Sequence, residues 1–359
     1  MKKRFLSILL VLLFVFPCFA ISAEEWCEIS LPSKLYGVVG NEINVYFDNV
    51  IMCNDLSDYH IIVECDKGDK EKDRWTYTPE AAESFTLKIR VLKNGTDEVS
   101  SAQTTVQIFD TEGTGDTKKV LCIGDSWTEG NSYIHYCRAN FENDKNDVKF
   151  LGSKDPWNGG LVVHEGRSGW TTQSYCTMSS YKNQNNPFYN NGKFDFKYYL
   201  ETSSIEDPDI VVIFLGINDA GQGITTEQSI EYFNTMINSI HSYSKDIEIG
   251  IVLTPPPGGT QDGFGKINLC GTTRFRHKYN AFNLTKALIN AYDGGKVDNV
   301  STVPVNVNID CINKYKTEEV PANAYTQVTV RRLVDNVHPD YAGYREVGNS
   351  LYAYIKSFF

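Results

Sequence analysis

Val120-Leu121-Cys122-Ile123-Gly124-Asp125-Ser126-Trp127-Thr128-Glu129-Gly130 is the stretch from which the fold can be read. Four apolar residues make a short buried strand, and Gly124 ends it where the absence of a side chain permits a tight turn. Ser126 then stands at the carboxyl end of a strand where a helix begins, the edge at which open α/β sheets bind ligands. A Gly-Asp-Ser tripeptide is by itself an ordinary turn, so a nucleophilic role for Ser126 rests on partners elsewhere in the chain.

The segments after the serine alternate in type. Val148 to Leu151 and Leu161 to His164 read as short strands, and Ile210 to Leu215 and Ile247 to Leu253 as continuous apolar strands covered on both faces. Between the last two, Thr226 is placed to cap a helix with Ile230, Phe233, Ile237 and Ile240 at helical spacing. Strand, helix, strand is a parallel unit; a run at Val303 to Ile309 and a final helix from about Asp340 to Phe358 extend it into a parallel sheet flanked by helices. Two long stretches interrupt the alternation, Thr172 to Phe196 and the Pro- and Gly-rich Pro255 to Cys270. Both follow strand ends, where they are positioned to wall a cleft.

Upstream, residues 24 to 112 alternate at the period of strands: Ile43, Val45 and Phe47; Phe85, Leu87, Ile89 and Val91; Val106 and Ile108, with Asn94-Gly95 as a hairpin turn. This is a small all-β sandwich of immunoglobulin-like character. Thr111 to Thr117 is polar and lacks periodicity, which marks a linker before a second domain from 118 to 359. Residues 1 to 23, with Lys2, Lys3 and Arg4 before an apolar run too short to span a bilayer, read as a secretory signal peptide, so the chain is expected in the periplasm or medium with no membrane span.

The formal charge is -11 for the whole sequence, and removal of the three leading cations takes it to -14. Such a balance disfavours nucleic acid as a partner. Eight cysteines follow the signal segment, an even number that permits disulfides and fixes no pairing, and nothing in their spacing suggests a metal or other cofactor. Cys122, within the strand before the serine, reads as a small buried hydrophobe.

Three further stretches supply what a nucleophilic serine needs. Asp335-Asn336-Val337-His338-Pro339 precedes the last helix, so one turn can present His338 as base and Asp335 as its orienting acid. Gly216-Ile217-Asn218-Asp219 follows the strand Ile210 to Leu215 and brings the Asn218 amide to the same edge. Glu165-Gly166-Arg167-Ser168-Gly169-Trp170-Thr171 offers backbone N–H groups beside glycine. Asp125 and Asp219 suit turn-holding hydrogen bonds, and His60, His135, His164, His241 and His277 suit surface or packing roles.

Together the four stretches resemble the SGNH hydrolases, the clan of GDSL-like esterases and lipases, over roughly residues 118 to 359. The resemblance implies a flavodoxin-like three-layer α/β/α fold, Ser126 as nucleophile, Asp335 and His338 completing the triad, and an oxyanion hole from Ser126, Gly169 and Asn218. Gly166 is a second candidate for the glycine, but Ser168-Gly169-Trp170-Thr171 matches the family's run better. Trp127 stands where the narrower pattern has leucine, which weakens any transfer of lipase specificity. Trp127 and Trp170 are expected to contact substrate, since aromatic faces suit sugar rings. The implied activity is ester hydrolysis, with O-acetyl groups of a polysaccharide or oligosaccharide as the expected substrate. A lipid esterase or thioesterase of the same clan, or a non-catalytic glycan-binding or adhesion protein, are the alternatives.

Overall fold

A computed structural model describes residues 26–155, 159–266 and 272–359. The expected signal segment and Cys270 lie outside the described residues.

The main sheet holds six parallel strands: β1 (Thr117–Gly124), β2 (Asp147–Leu151), β3 (Glu165–Gly166), β4 (Ile210–Phe214), β5 (Glu248–Val252) and β6 (Val300–Val303). Their order is β2-β1-β4-β5-β6, with the two-residue β3 continuing the β2 side of β1. With β3 left uncounted this is the flavodoxin-like order, whose switch point lies between the first strand and the one beyond it. Alternate residues of each strand feed opposite layers. Val120, Cys122, Val212 and Phe214 pack with Ile134, Cys137, Val347 and Leu351 of the helices Ser132–Phe141 and Tyr341–Lys356. Leu121, Ile123, Val211 and Ile213 pack with Phe233, Ile237, Leu284 and Leu288 of Thr226–Tyr243 and Arg274–Tyr292. The strands are buried on both faces, which is why they read as continuous apolar runs.

Four local readings are corrected. Leu161 to His164 is not a strand: Leu161 is 63% exposed, His164 makes only an isolated bridge to Lys154, and pairing with β1 begins at Glu165. Thr225, not Thr226, caps the following helix through a capping box with Gln228. The strand near Val303 runs from Val300 to Val303 and gives way to a 3₁₀ turn at Val305–Val307, because Pro304 has no N–H to continue a ladder. Thr172 to Phe196, read as an interruption of the alternation, is itself partly regular: it holds a six-residue helix, Thr172–Thr177, and two short hairpins.

The N-terminal part has a four-stranded sheet (Lys34–Val38, Asp97–Phe109, Ser84–Lys93, Tyr59–Glu64) facing a three-stranded one (Ile43–Tyr46, Arg74–Tyr77, Asp69–Lys70). Val45 and Trp75 from the smaller sheet share a core with Leu87, Ile89, Val91 and Val106 from the larger. Asn94 and Gly95 both have positive φ, the conformation of a tight hairpin turn. Cys27 and Cys53 lie opposite each other on an antiparallel pair, and the seven cysteines among the described residues are free.

Polar contacts join this sandwich to the α/β part. Asn44 N donates to Asn308 Oδ1 at 2.7 Å, and Asn49 Nδ2 donates to the carbonyls of Asn306 and Ile309. Asp48 accepts from Lys278 Nζ at 2.7 Å and also pairs with Arg274. Burial alone would raise the Asp48 carboxyl, but the two cations outweigh it and its pKa is lowered. Lys278 is almost fully buried, so Asp48→Asn leaves its ammonium with the Ile51 carbonyl but no counter-charge. We expect a loss of about 2 kcal/mol at neutral pH, less than for a fully buried pair because the carboxylate is partly wet. The loss should shrink as pH falls below the ordinary carboxylate value and Asp48 of the wild type takes up its proton, which chemical denaturation across pH will measure.

Candidate functional site

The register of β1 places Gly124 level with Phe214 of β4 on one side and Gly166 of β3 on the other. The loops after these strands therefore open at one edge of the sheet. Helix Ser126–Glu129 nests closely there: a Cβ on Gly124 would lie 2.0 Å from Thr128 Oγ1, and one on Gly166 would lie 2.2 Å from Glu129 N. Asp125 caps this helix by accepting from Trp127 N, so Ser126 occupies its first position.

The structure brings Ser126, His338 and Asp335 together. Ser126 Oγ is 2.8 Å from His338 Nε2, and His338 Nδ1 is 3.0 Å from Asp335 Oδ2. Pairing of Nδ1 with a carboxylate fixes a proton on that nitrogen and leaves Nε2 as the acceptor of the serine hydroxyl. The other Asp335 oxygen accepts from the backbone N–H groups of Val337 and His338. Burial would raise the Asp335 carboxyl, but the histidine ring and these N–H groups outweigh it, and its pKa is lowered. The segment is braced from behind by the Pro-Gly stretch, where Gly258 N donates to Asn336 O.

Gly169 lies beside Ser126 on the wall of a cleft of about 490 Å³, together with Asn218, Lys182, Gln222 and His277. Its φ of +74° is one that glycine adopts freely. Among the described residues, neither the Gly169 nor the Ser126 backbone N–H has a hydrogen-bond partner. Gly166 does not share this position, because its N–H is taken by His164 Nδ1. Asn218 Nδ2 donates to Asp125 Oδ2 and to the Trp170 carbonyl, each at 3.1 Å. The loop bearing Gly169 is fixed at two points. Ser168 N donates to Glu129, and Arg167 forms a buried ion pair with Glu165 at 2.8 Å.

The expectation that Trp127 and Trp170 contact substrate is corrected. Trp127 is buried edge-on against Phe214 and Tyr344, and Trp170 is enclosed by Tyr175, Tyr181 and the Arg167 guanidinium. Both indoles are core. The residues that do wall the site were not singled out from the sequence: Lys182 and Gln222, and in a second cleft of about 710 Å³ that shares Ser126 and His338, Lys316, Tyr341 and Tyr344. Tyr341 is 77% exposed there. His277, expected to be a packing residue, is buried but also lines the first cleft, and burial lowers its pKa to about 4. None of these follows a motif, because each reaches the site through a turn or a helix face.

Asp125 and Asp219 hold the edge together as read from sequence: Asp125 as above, and Asp219 by accepting from Thr172 and Ser229. Burial pushes Asp125 up to about 7. Between the ordinary carboxylate value near pH 4 and about pH 7, the folded chain thus holds a proton that the unfolded chain has released. Stability from this group falls as pH rises through that window and levels off above it. Unfolding free energies of wild type and Asp125→Asn should therefore diverge in the variant's favour from pH 4 to 7; a difference that stays flat would mean that Asp125 is ionised throughout.

No curated protein matches the sequence. Among solved structures, an acetyl esterase mutant with an acetate ion is 18% identical, with a TM-score of 0.41, over 67% of this chain and 97% of its own. A carbohydrate esterase family 3 protein from Talaromyces cellulolyticus is 16% identical, with a TM-score of 0.41 and the same coverages. A lipolytic protein of the G-D-S-L family from Veillonella parvula DSM 2008 is 16% identical, with a TM-score of 0.36, over 65% of this chain and 94% of its own. Residues 122–346 match the GDSL-like lipase/acylhydrolase family across the serine, glycine, asparagine and Asp-x-x-His stretches described above, and the chain belongs to that family.

Proposed function

We propose that this protein is an exported serine esterase that removes O-acetyl groups from a polysaccharide or oligosaccharide, with residues 118–359 as the hydrolase domain and residues 24–112 as an accessory sandwich. The observation that carries the reading is the continuous line from Asp335 through His338 to Ser126 Oγ, which opens where two clefts meet. His338 takes the serine proton as Oγ attacks the ester carbonyl, and Asp335 steadies the imidazolium. The oxygen of the tetrahedral intermediate receives the N–H groups of Ser126 and Gly169 and one hydrogen of the Asn218 amide. In the free chain both of those hydrogens have partners, so the oxyanion displaces or shares the Trp170 carbonyl as charge develops. The alcohol leaves with the proton from His338, and water then releases the acid by the same route.

The substrate assignment rests on the clefts. They are open, most of the side chains around them are polar although apolar surface makes up more of the exposed lining, and the exposed Tyr341 ring stands at one rim; hydrogen-bonding groups set around apolar patches suit the edges and faces of a sugar ring. No helix among the described residues is long and apolar enough to cross a membrane.

Ser126→Ala should abolish hydrolysis of p-nitrophenyl acetate while the melting temperature stays near that of wild type. Asn218→Ala should lower kcat about a hundred- to thousandfold, the usual cost of one oxyanion donor; wild-type turnover would remove Asn218 from the site. On p-nitrophenyl esters of increasing chain length, rates should peak at acetate, with serine-dependent acetate release from acetylated xylan. Preference for long chains would move the assignment to lipid esters.

A further inference from the structure

The Thr172 to Phe196 stretch puts one cation into the cleft that holds the oxyanion donors. Lys182 sits at the tip of the hairpin that pairs Ser180–Tyr181 with Gln184–Asn185, and both tip residues have positive φ, Lys182 at 48° and Asn183 at 59°. That backbone suits asparagine or glycine, and lysine adopts it rarely. The turn aims the side chain back over the site: a Cβ placed on Gly169 would lie 2.1 Å from Lys182 Nζ, so the ammonium rests directly on that glycine. The Tyr181 ring flanks it, 5.5 Å from Nζ to the centroid.

Among the described residues nothing in the cleft neutralises this charge. None of the side chains lining the cleft is a carboxylate. His277 is held neutral at physiological pH by its burial. Among the described residues Lys182 forms no ion pair, although the whole sequence has 45 acidic against 34 basic side chains. The second cleft differs, with Glu129 and Asp340 set against Lys316. An acetyl group fills only the space next to Ser126 Oγ, so most of the first cleft is left for the rest of the substrate.

We propose that this cleft seats a carboxylate borne by the saccharide next to the acetylated position, with Lys182 as its partner, and that the preferred substrate is an O-acetylated glycan containing hexuronate residues. The inference rests on the glycan reading above. The ammonium supplies charge recognition without fixed geometry, as lysine does, and the neutral walls leave room for the sugar ring.

The test compares kcat/KM for acetate release from O-acetylated oligogalacturonate and from O-acetylated neutral xylo-oligosaccharide, for wild type, Lys182→Gln and Lys182→Arg, at low and high salt. Wild type should favour the acidic substrate by about fivefold at low salt, the scale of one partly exposed ion pair, and the preference should fall at high salt. Lys182→Gln should lose it through KM, and Lys182→Arg should keep it. Equal wild-type rates on the two glycans, or a preference that survives Lys182→Gln, overturns the proposal. An equal loss on both substrates also overturns it and assigns the ammonium to the oxyanion instead. Hydrolysis of p-nitrophenyl acetate with release from neither glycan overturns the glycan reading itself and this inference with it.

Discussion

The site depends on the register of β1. Because Gly124 pairs level with both Phe214 and Gly166, three loops that lie far apart in sequence leave the sheet at the same height. A slip of one residue along β1 would turn Val120 and Cys122 toward the opposite helix layer and carry Ser126 out of line with Asn218, so the burial that fixes the sheet also fixes the chemistry. The helix after the serine can approach only because Gly124 and Gly166 carry no side chain. Site precision here is a packing property before it is a matter of hydrogen bonds.

Buried carboxyl groups at this edge have two distinct functions. Asp335 gathers donors around its carboxyl until they outweigh burial, and it stays an acceptor for the His338 ring. Asp125 is more deeply enclosed, and burial wins. It still accepts from Trp127 N and Asn218 Nδ2, so it orients the serine turn and the Asn218 amide together. The Glu165–Arg167 pair performs a third task at a distance from the reaction. Tyr199 and Ser153 N donate to Glu165, while Arg167 Nε donates to Asn185 O, which ties the Gly169 loop to the Lys182 hairpin. A buried ion pair adds little net stability, but it holds one geometry.

The parts legible in the sequence were those in which local pattern and tertiary role coincide. Ile210 to Phe214 is buried on both faces, so its composition alone names a parallel strand, and Asp335 and His338 share one turn, so their spacing is their geometry. The tryptophans were misread because an aromatic next to a catalytic motif is equally suited to substrate and to core, and only packing separates the two. For Trp127 the decision is made by Phe214 and Tyr344, which are 87 and 217 positions away in the chain. Leu161 to His164 failed in the opposite direction: its residues favour a strand, but among the described residues only His164 finds a partner, in the single bridge to Lys154. Lys182 was invisible because its position comes from a two-residue turn within a polar stretch that offers no period.

The sandwich enters the same argument through one helix. Asp48 grips Arg274 and Lys278, which bracket His277 on the helix Arg274–Tyr292. His277 lines the first cleft, and Asn280 on the same helix donates to the Ala220 carbonyl in the helix that carries Asn218 and Gln222. The N-terminal β-sheets therefore do more than lie beside the α/β layer. Through Asp48 they hold the helix that forms one wall of the cleft, and through Asn44 and Asn49 they hold the Asn306 to Ile309 turn that follows β6. Displacing the sandwich would unpair the half-buried Arg274 and the buried Lys278 beside His277, and the cleft wall would have to move to solvate the lysine.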